Sequence, residues 1–245
     1  MTIRNTISAA LLACTAISAQ AGAAATAAPA PQAPSSSVWT GSVTLGYDTD
    51  YIFRGQEVST DNVSTTLDLN YGLSAGSTLN LNAWYTNSTD SNFDELNLTA
   101  TVNYKLSDCM TIGPSLRHYS YPTSNANTEL EFGVALGTAV GGLPVNLAAY
   151  YNEETEGYYL ELGTSKSFKV SDTLNLVTSA AIGYMDTDAG VSDLSHATVS
   201  VALPINLNGV TLTPYVAGNF PLDGIDAITT QDDEIVGGVS LKVGF

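Results

Sequence analysis

The end of the chain, residues 232–245, alternates between apolar residues and small or polar ones at every second position. One parity holds Ile235, Val239, Leu241, Val243 and Phe245. A period of two predicts a β-strand with one apolar face. Because the same alternation recurs about every ten residues from Trp39 onward, close to the ~9–11 residues of a tilted membrane strand, the chain is predicted to consist of many similar strands.

The recurring alternation predicts about twelve strands. Their patterned cores are Val43–Tyr47, Val63–Tyr71, Leu79–Tyr85, Leu96–Tyr104, Met110–Tyr121, Leu130–Leu136, Val145–Tyr151, Tyr158–Thr164, Leu174–Tyr184, Ala197–Leu203, Val210–Val216 and Asp232–Phe245. The opposite parity is mostly Asn, Thr, Ser, Gly and Ala. A soluble β-sandwich would also alternate, so the fold class has to be decided by other features.

The connections between these strands alternate in length, which favours a membrane barrel. The short ones are 72–77, 105–109, 141–144, 169–172 and 204–209, and the mostly longer ones are 48–62, 86–92, 122–127, 152–156, 186–193 and 221–233. Short periplasmic turns and longer outer loops are typical of outer-membrane barrels. We therefore predict a transmembrane antiparallel up-and-down β-barrel of about 12 strands. An even strand number places both termini on the periplasmic side.

Tyrosines and charges are also distributed as in a barrel that sits in lipid. Tyr47, Tyr85, Tyr121, Tyr151, Tyr158 and Tyr184 fall at the loop ends of strands, and Tyr71 and Tyr104 at the turn ends. Such rings prefer the headgroup level and form girdles. Most acidic residues lie in the longer loops, where they keep the rim solvated, bridge to lipopolysaccharide through divalent cations, or attract cations to the mouth.

The front of the chain has the features of a secretory signal peptide. A basic start, an apolar segment at 7–19 and the sequence Ala19-Gln20-Ala21 predict a signal peptide over residues 1–21. Residues 22–37, rich in Ala, Pro and Ser, are predicted to be a flexible tail before a barrel at 38–245. An alternative is a lipobox that would lipidate Cys14.

Composition excludes several classes of function. Only 13% of residues are charged, against roughly 25% in ordinary soluble domains. With 7 basic and 24 acidic residues, nucleic-acid binding is not expected. Because Cys14 falls in the signal region, Cys109 is left alone, which excludes an intrachain disulfide and a Cys-rich metal site. No cofactor or metal is expected.

One local motif resembles a known family. The segment Tyr51-Ile52-Phe53-Arg54-Gly55, which follows Gly46–Asp50, is similar to the Tyr-x-Phe-Arg-Gly element after the first strand in the TorF family of putative porins. The terminal Phe245 also resembles the assembly signal of outer-membrane barrels. These resemblances imply an outer-membrane barrel with a signal peptide, recognised by the barrel-assembly machinery through its C-terminal strand. They imply no particular substrate.

A small set of charged residues forms the candidate site. Arg54 either pairs with carboxylates and fixes the first loop, with Gly55 permitting the turn, or lines the pore. By parity the inward charges are Asp68, Arg117, Glu131 and Glu161. Because the other inward residues are small or polar, we predict a narrow porin-like channel for small hydrophilic solutes or ions. Its acidic mouth suggests mild cation selectivity.

Two other classes of function remain open. His118 and Ser120 have the His-x-Ser spacing of outer-membrane phospholipase A, with Asn125 following, but Tyr121-Pro122 replaces the Asn-Gly of that family. A girdle histidine beside a rim serine is the simpler interpretation, and His196 is predicted to be a rim residue. The third class is a structural or adhesive barrel without transport, which a plugged lumen would favour.

Overall fold

The computed structural model of the 245-residue chain describes residues 39–123, 126–188, 190–229 and 231–245. The predicted signal peptide at 1–21, the predicted tail at 22–37, Cys14 and Asn125 lie outside the described residues.

Nearly every described residue belongs to a strand or to a short connection. The strands are β1 (Trp39–Phe53), β2 (Gln56–Ser74), β3 (Ser77–Ser88), β4 (Asp94–Ser107), β5 (Met110–Ser120), β6 (Glu129–Val140), β7 (Leu143–Asn152), β8 (Gly157–Lys169), β9 (Asn175–Asp186), β10 (Ser192–Ala202), β11 (Ile205–Leu207), β12 (Val210–Pro221) and β13 (Glu234–Gly244). The helix α1 is Asp223–Asp226. Within the described ranges, no helix is long and apolar enough to span a membrane.

The strands close into a ring. Each strand from β1 to β9 pairs antiparallel with the next, β13 pairs with both β1 and β12, and β12 pairs with β10. The short β11 continues β10 after a break at 203–204: it pairs with the start of β12 in the same register and bridges to Leu174 on its other side, so the two segments count as one strand of the ring. The predicted fold class is therefore confirmed as a closed antiparallel barrel of 12 strands. Closure leaves no free sheet edge, so the backbone hydrogen bonds are satisfied between strands.

The two faces of the barrel differ as the alternation predicts. Large apolar side chains on the outer face are about half exposed; they include Leu45, Leu98, Phe132, Leu147, Leu162 and Val199. Polar side chains of the opposite parity are buried; they include Ser64, Asn97, Glu131, Asn146, Glu161 and Thr213. This distribution is the reverse of that in a soluble protein and suits a barrel surrounded by lipid.

The connections define two ends of the barrel. The turn end carries the connections 75–76, 108–109, 141–142, 170–174 and 208–209, and the loop end carries 54–55, 89–93, 121–128, 153–156, 187–191 and 222–233. The first and last described residues both lie at the turn end, where Gly41 and Phe245 exchange backbone hydrogen bonds of 2.8 Å. The Phe245 ring fills the space that a Cβ on Gly41 would need.

The prediction of a long first loop at 48–62 is wrong. β1 continues to Phe53 and β2 begins at Gln56, so only Arg54 and Gly55 separate them. The segment was predicted as a loop because it has no apolar parity. A strand that extends beyond the lipid does not need an apolar face, because neither of its faces contacts the acyl chains.

The lipid-facing surface predicts how charge on the outer face affects stability. Leu147 lies near the middle of β7 and is 48% exposed. Leu147→Lys should lower the free energy of unfolding in lipid vesicles, measured with urea, by about 2–4 kcal/mol. Leu207→Lys is the matched control, since Leu207 is similarly exposed at the turn end, and should cost about 0–1 kcal/mol. Equal costs would contradict a membrane-embedded outer face.

Candidate functional site

The β1–β2 hairpin ends inside the barrel. We call residues 51–57 the hairpin tip. Tyr51 and Ile52 are each 1% exposed, although this part of β1 pairs only with β2 and extends beyond its pairing with β13. The strand register shifts between them, and Asp61 on the partner strand has a φ of 49°. Such β-bulges bend a strand, and here they direct the hairpin towards the lumen.

The turn at the tip requires an unusual backbone. Arg54 has a φ of 53° and Gly55 a φ of 92°. Positive φ at both central residues is the geometry of a two-residue hairpin turn that matches the strand twist. Glycine adopts it freely, but arginine does so at a cost of about 1–2 kcal/mol. The side-chain contacts of Arg54 therefore have to offset this cost.

The tip contacts inward side chains around most of the ring. Its partners are Trp84 of β3, Glu95 of β4, Tyr119 of β5, Glu131 of β6, Tyr150 of β7, Tyr159 of β8, His196 of β10 and Asn219 of β12. Side chains from so many strands can meet one turn only if that turn crosses the lumen. The loop-end half of the barrel is therefore packed around the hairpin tip.

Aromatic rings hold the first part of the tip. The Tyr51 ring centroid lies 5.3 Å from Trp84 and 5.9 Å from Phe93, and its hydroxyl donates to Glu95 at 3.3 Å. The Phe53 ring meets Tyr119 edge to face at 6.0 Å. Aromatic pairs of this kind each stabilise by about 0.5–1.5 kcal/mol beyond their buried area.

Arg54 makes the principal ionic contact of the site. Its Nη2 donates to Glu131 Oε2 at 2.5 Å, and the Glu131 side chain is 1% exposed. The guanidinium carbon lies 4.3 Å from the Tyr159 ring centroid and 5.2 Å from that of Tyr150. A buried carboxylate needs such a partner, because removing one member of a buried pair costs about 3–5 kcal/mol.

A second arginine shares the same carboxylate. Arg117 Nη1 lies 3.6 Å from Glu131 Oε1 and donates to the Tyr119 hydroxyl at 2.9 Å. The Tyr119 hydroxyl in turn donates to Glu131 Oε1 at 3.0 Å, and Arg117 Nε donates to Thr99 at 3.2 Å. The Glu131 carboxylate is thus fixed by three side chains, and its position does not depend on Arg54 alone.

The backbone of the turn is held from the opposite side. The carbonyl oxygen of Gly55 accepts hydrogen bonds of 3.0 Å from Asn219 Nδ2 and Gln231 Nε2. The amide nitrogen of Glu57 donates to Gln231 Oε1 at 2.8 Å. Gln231 belongs to the last connection of the loop end. The hairpin tip therefore bridges the β6–β8 wall and the β12 side of the barrel.

The predicted site residues separate into two groups. Arg54, Arg117 and Glu131 come together at the hairpin tip. Glu161 lies beside them, 2% exposed, and accepts a hydrogen bond of 2.8 Å from the Tyr159 hydroxyl. Asp68 lies apart on β2, where it accepts a hydrogen bond of 2.7 Å from Asn82 Nδ2.

The prediction that His196 is a rim residue is wrong. His196 is 3% exposed, and its ring stacks on Tyr159 at 6.2 Å with an interplanar angle of 3°. His196 has the same parity as the inward Ala202, and the register shift between Leu194 and His196 brings Ser195 to the inner side beside it. Ser195 Oγ lies 2.9 Å from His196 Nδ1, but it is 0% exposed and out of reach of a substrate.

The histidine and serine considered for lipid hydrolysis lie on the outer face. Arg117 and Tyr119 point inward, so His118 and Ser120 point outward in the same strand. The Ser120 hydroxyl donates to the carbonyl oxygen of Leu96 at 3.2 Å, which directs it to the neighbouring strand. In the described ranges no group of three or more His, Cys, Asp or Glu side chains has an arrangement suited to a metal ion.

The inward aromatic residues were missed by the sequence analysis. Tyr119 and Tyr159 share the parity of Arg117 and Glu161, which is predicted to face inward, and Tyr150 has the parity opposite to the apolar residues of its strand. Parity could therefore have placed them in the lumen. No local signal could have found Tyr51 and Phe53, because their burial depends on the direction of the hairpin.

The close approach at Gly55 predicts a specific sensitivity. A Cβ there would lie 2.6 Å from the Cβ of His196, whereas a Cβ on Gly209, with a nearly equal φ of 94°, would meet nothing within 4 Å. Gly209→Ala should cost only the backbone strain of about 1–2 kcal/mol. Gly55→Ala should cost more and should make the tip accessible to protease. Equal effects in urea unfolding and proteolysis would contradict the described packing.

Comparisons with known proteins agree on the fold. No protein-family model and no curated protein matches the chain. Among solved structures, the COG4313 outer-membrane channel from Pseudomonas putida F1 is similar with a TM-score of 0.54 at 15% identity, covering 85% of this chain and 96% of that one.

Two further structures have comparable scores. The NanC porin has a TM-score of 0.52 at 12% identity, covering 83% of this chain and 98% of that one. The KdgM porin in complex with disordered oligogalacturonate has a TM-score of 0.51 at 13% identity, with 84% and 99% covered. At these identities the likeness concerns the architecture, and it identifies the fold as that of outer-membrane β-barrels.

Proposed function

We propose that this protein is an outer-membrane channel for passive diffusion of small hydrophilic solutes or ions. The observation that carries the proposal is a polar, small-residue lumen inside a barrel with an apolar outer face. In the turn-end half, inward Thr66, Asp68, Asn80, Asn82 and Thr99 are only half buried, so they border open space. Water can occupy that space, because its lining supplies hydrogen-bonding groups.

The similar structures support this assignment. They are described as an outer-membrane channel and as porins, and this chain shares their architecture. We propose the same location for it, with the turn end and both termini on the periplasmic side and the acidic loops outside. We also propose the TorF resemblance, which is supported by the placement of its Arg54-Gly55 pair at the tip of a hairpin that enters the lumen.

The hairpin tip sets the width of the proposed channel. It crosses the loop-end half, where Thr86, Glu95 and Asn97 are at most 4% exposed. Transport therefore requires solutes to pass beside the tip or the tip to move. Of the two roles considered for Arg54, its pairing with Glu131 supports fixation of the hairpin, and this fixation also narrows the pore.

The charges along the path favour cations. Inward carboxylates include Asp48, Asp68, Glu95, Glu129, Glu131 and Glu161, and inward basic groups include Arg54, Arg117 and Lys242. The arginines are both adjacent to Glu131, which leaves the half-buried Asp68 and the acidic loops to set the sign of the field. We therefore propose mild cation selectivity, with acidic loops that concentrate cations at the mouth.

Partners follow from the proposed location. The outer face would contact outer-membrane lipid, and the acidic loops would meet lipopolysaccharide. The C-terminal strand, which closes the ring between β1 and β12, would present Phe245 to the barrel-assembly machinery during insertion.

A structural barrel without transport is the second candidate. The packed hairpin tip is the specific observation in its favour, because the closure leaves no wide passage. A structural barrel and a narrow channel differ in a single measurable property, namely the passage of ions through the lumen.

Arg54→Ala should therefore raise the single-channel conductance severalfold in planar bilayers, because it releases the hairpin tip from Glu131. Lys105→Ala is the matched control. Lys105 also forms an ion pair, with Asp108 at 2.8 Å, but it is exposed at the turn end. There the ammonium group lowers the pKa of the Asp108 carboxyl through a hydrogen bond. No current from either variant or from the wild type would support the structural barrel.

Selectivity can be read from the reversal potential in a potassium chloride gradient. The wild type should favour potassium, and Asp68→Asn should reduce that preference, because Asp68 is a half-buried lumen carboxylate. Asp108→Asn removes an equal charge outside the lumen and should change the preference little. The preference should also shrink at high salt, where the Debye length falls to ~3 Å. Anion preference in the wild type would contradict the proposed selectivity.

A further inference from the structure

The guanidinium group of Arg54 lies in a pocket whose walls come mainly from other strands. These walls are Glu131 of β6, Tyr150 of β7 and Tyr159 of β8, and we call them the guanidinium pocket. The Phe53 ring of the hairpin itself covers the guanidinium carbon at 4.8 Å and moves with Arg54. Tyr159 is the closest ring, at 4.3 Å, and Glu131 supplies the hydrogen-bonding carboxylate. Arg54 reaches it only because the hairpin tip enters the lumen.

The chemistry of this pocket is that of a site for a flat organic cation. Aromatic faces attract cations through their quadrupole, and a carboxylate adds a charge-assisted hydrogen bond. A guanidinium ion satisfies both at once, because it is planar and carries donors along its edge. A sodium ion has neither property, so the pocket should discriminate by shape as well as by charge.

The pocket is held in place by contacts that do not involve Arg54. The Tyr159 hydroxyl donates to Glu161 at 2.8 Å, and the Tyr159 ring stacks on His196. Glu131 accepts a hydrogen bond from Tyr119 at 3.0 Å. Because these supports come from the barrel wall, the pocket keeps its shape when the hairpin tip leaves.

We propose that the guanidinium pocket is a binding site for guanidinium-type organic cations, and that Arg54 occupies it as a tethered substitute in the absence of such a solute. An entering cation displaces the Arg54 side chain and frees the hairpin tip. This inference rests on the proposed channel and deepens it, since it names the solute class and the contact that the solute breaks.

Binding can be tested without any transport measurement. Arg54→Ala, purified in detergent, should have a lower melting temperature than the wild type, and millimolar guanidinium chloride should restore part of the loss. Urea, which is equally flat but neutral, and sodium chloride should not restore it. This rise in melting temperature should disappear in Arg54→Ala/Glu131→Gln, which lacks the pocket carboxylate. It should persist in Arg54→Ala/Asp68→Asn, because Asp68 lies apart from the pocket. The proposal would be overturned if guanidinium chloride raised the melting temperature equally in all three variants, or if urea raised it as much as guanidinium chloride does.

A second measurement keeps Arg54 in place, in case its removal prevents folding. Ile52 is 1% exposed in the hairpin tip. In the full chain carrying Cys14→Ser and Cys109→Ser, Ile52→Cys should react with a maleimide severalfold faster in guanidinium chloride than in equal sodium chloride or urea. An unchanged labelling rate would overturn the displacement of the tip.

Bilayer recordings then separate this inference from the proposed function. Guanidinium-dependent rescue and labelling without any current would uphold the pocket and refute the channel. A current that is insensitive to guanidinium, together with unchanged labelling, would uphold the channel and refute the pocket.

Discussion

The closed hydrogen-bonded ring is the constraint on which the rest of the structure depends. In lipid an unpaired backbone group costs several kcal/mol, so a spanning sheet has to pair its first strand with its last. Here β1 meets β13 in register, with Leu45 opposite Leu241. Closure then assigns every residue to one of two environments. Alternate side chains face lipid, and those between them face the lumen, so the period of two in the sequence follows from the ring.

The ring leaves one pair of strands longer than the lipid requires. β2 has 19 residues and β1 has 15, and their excess length bends inward instead of extending outward. The bulges in β1 and β2 set this direction, and the ion pair between Arg54 and Glu131 fixes where the hairpin ends. Two charges that are both desolvated gain little net energy from each other, yet each becomes costly without its partner. The pair therefore specifies the position of the hairpin more than it stabilises the barrel.

The sequence predicted the features that lipid imposes and missed those that only the lumen imposes. Outward parity correctly located the strands and the closed barrel, since apolar residues must recur wherever a strand touches lipid. Outward parity did not predict the strands at 48–62, because this segment does not contact lipid and carries no recurring apolar face. The burial of His196 was also missed, because parity gives the side that a residue faces and not the contacts that cover it at the loop end of a strand. The inward position of Arg54 depends on contacts with distant strands, which no local pattern records.

Two of the inward aromatic rings lie flat along the barrel wall, because each is placed against a glycine of a neighbouring strand. The Tyr150 ring lies over Gly133 of the neighbouring strand, and the His196 ring lies over Gly183. A Cβ at either glycine would come within 2.7 Å of the ring, so the absent side chain lets each ring lie flat along the wall. Rings that lie along the wall do not fill the lumen. The obstruction therefore belongs to the hairpin tip, which is joined to the wall by side-chain contacts rather than by the hydrogen-bonded ladder of the ring.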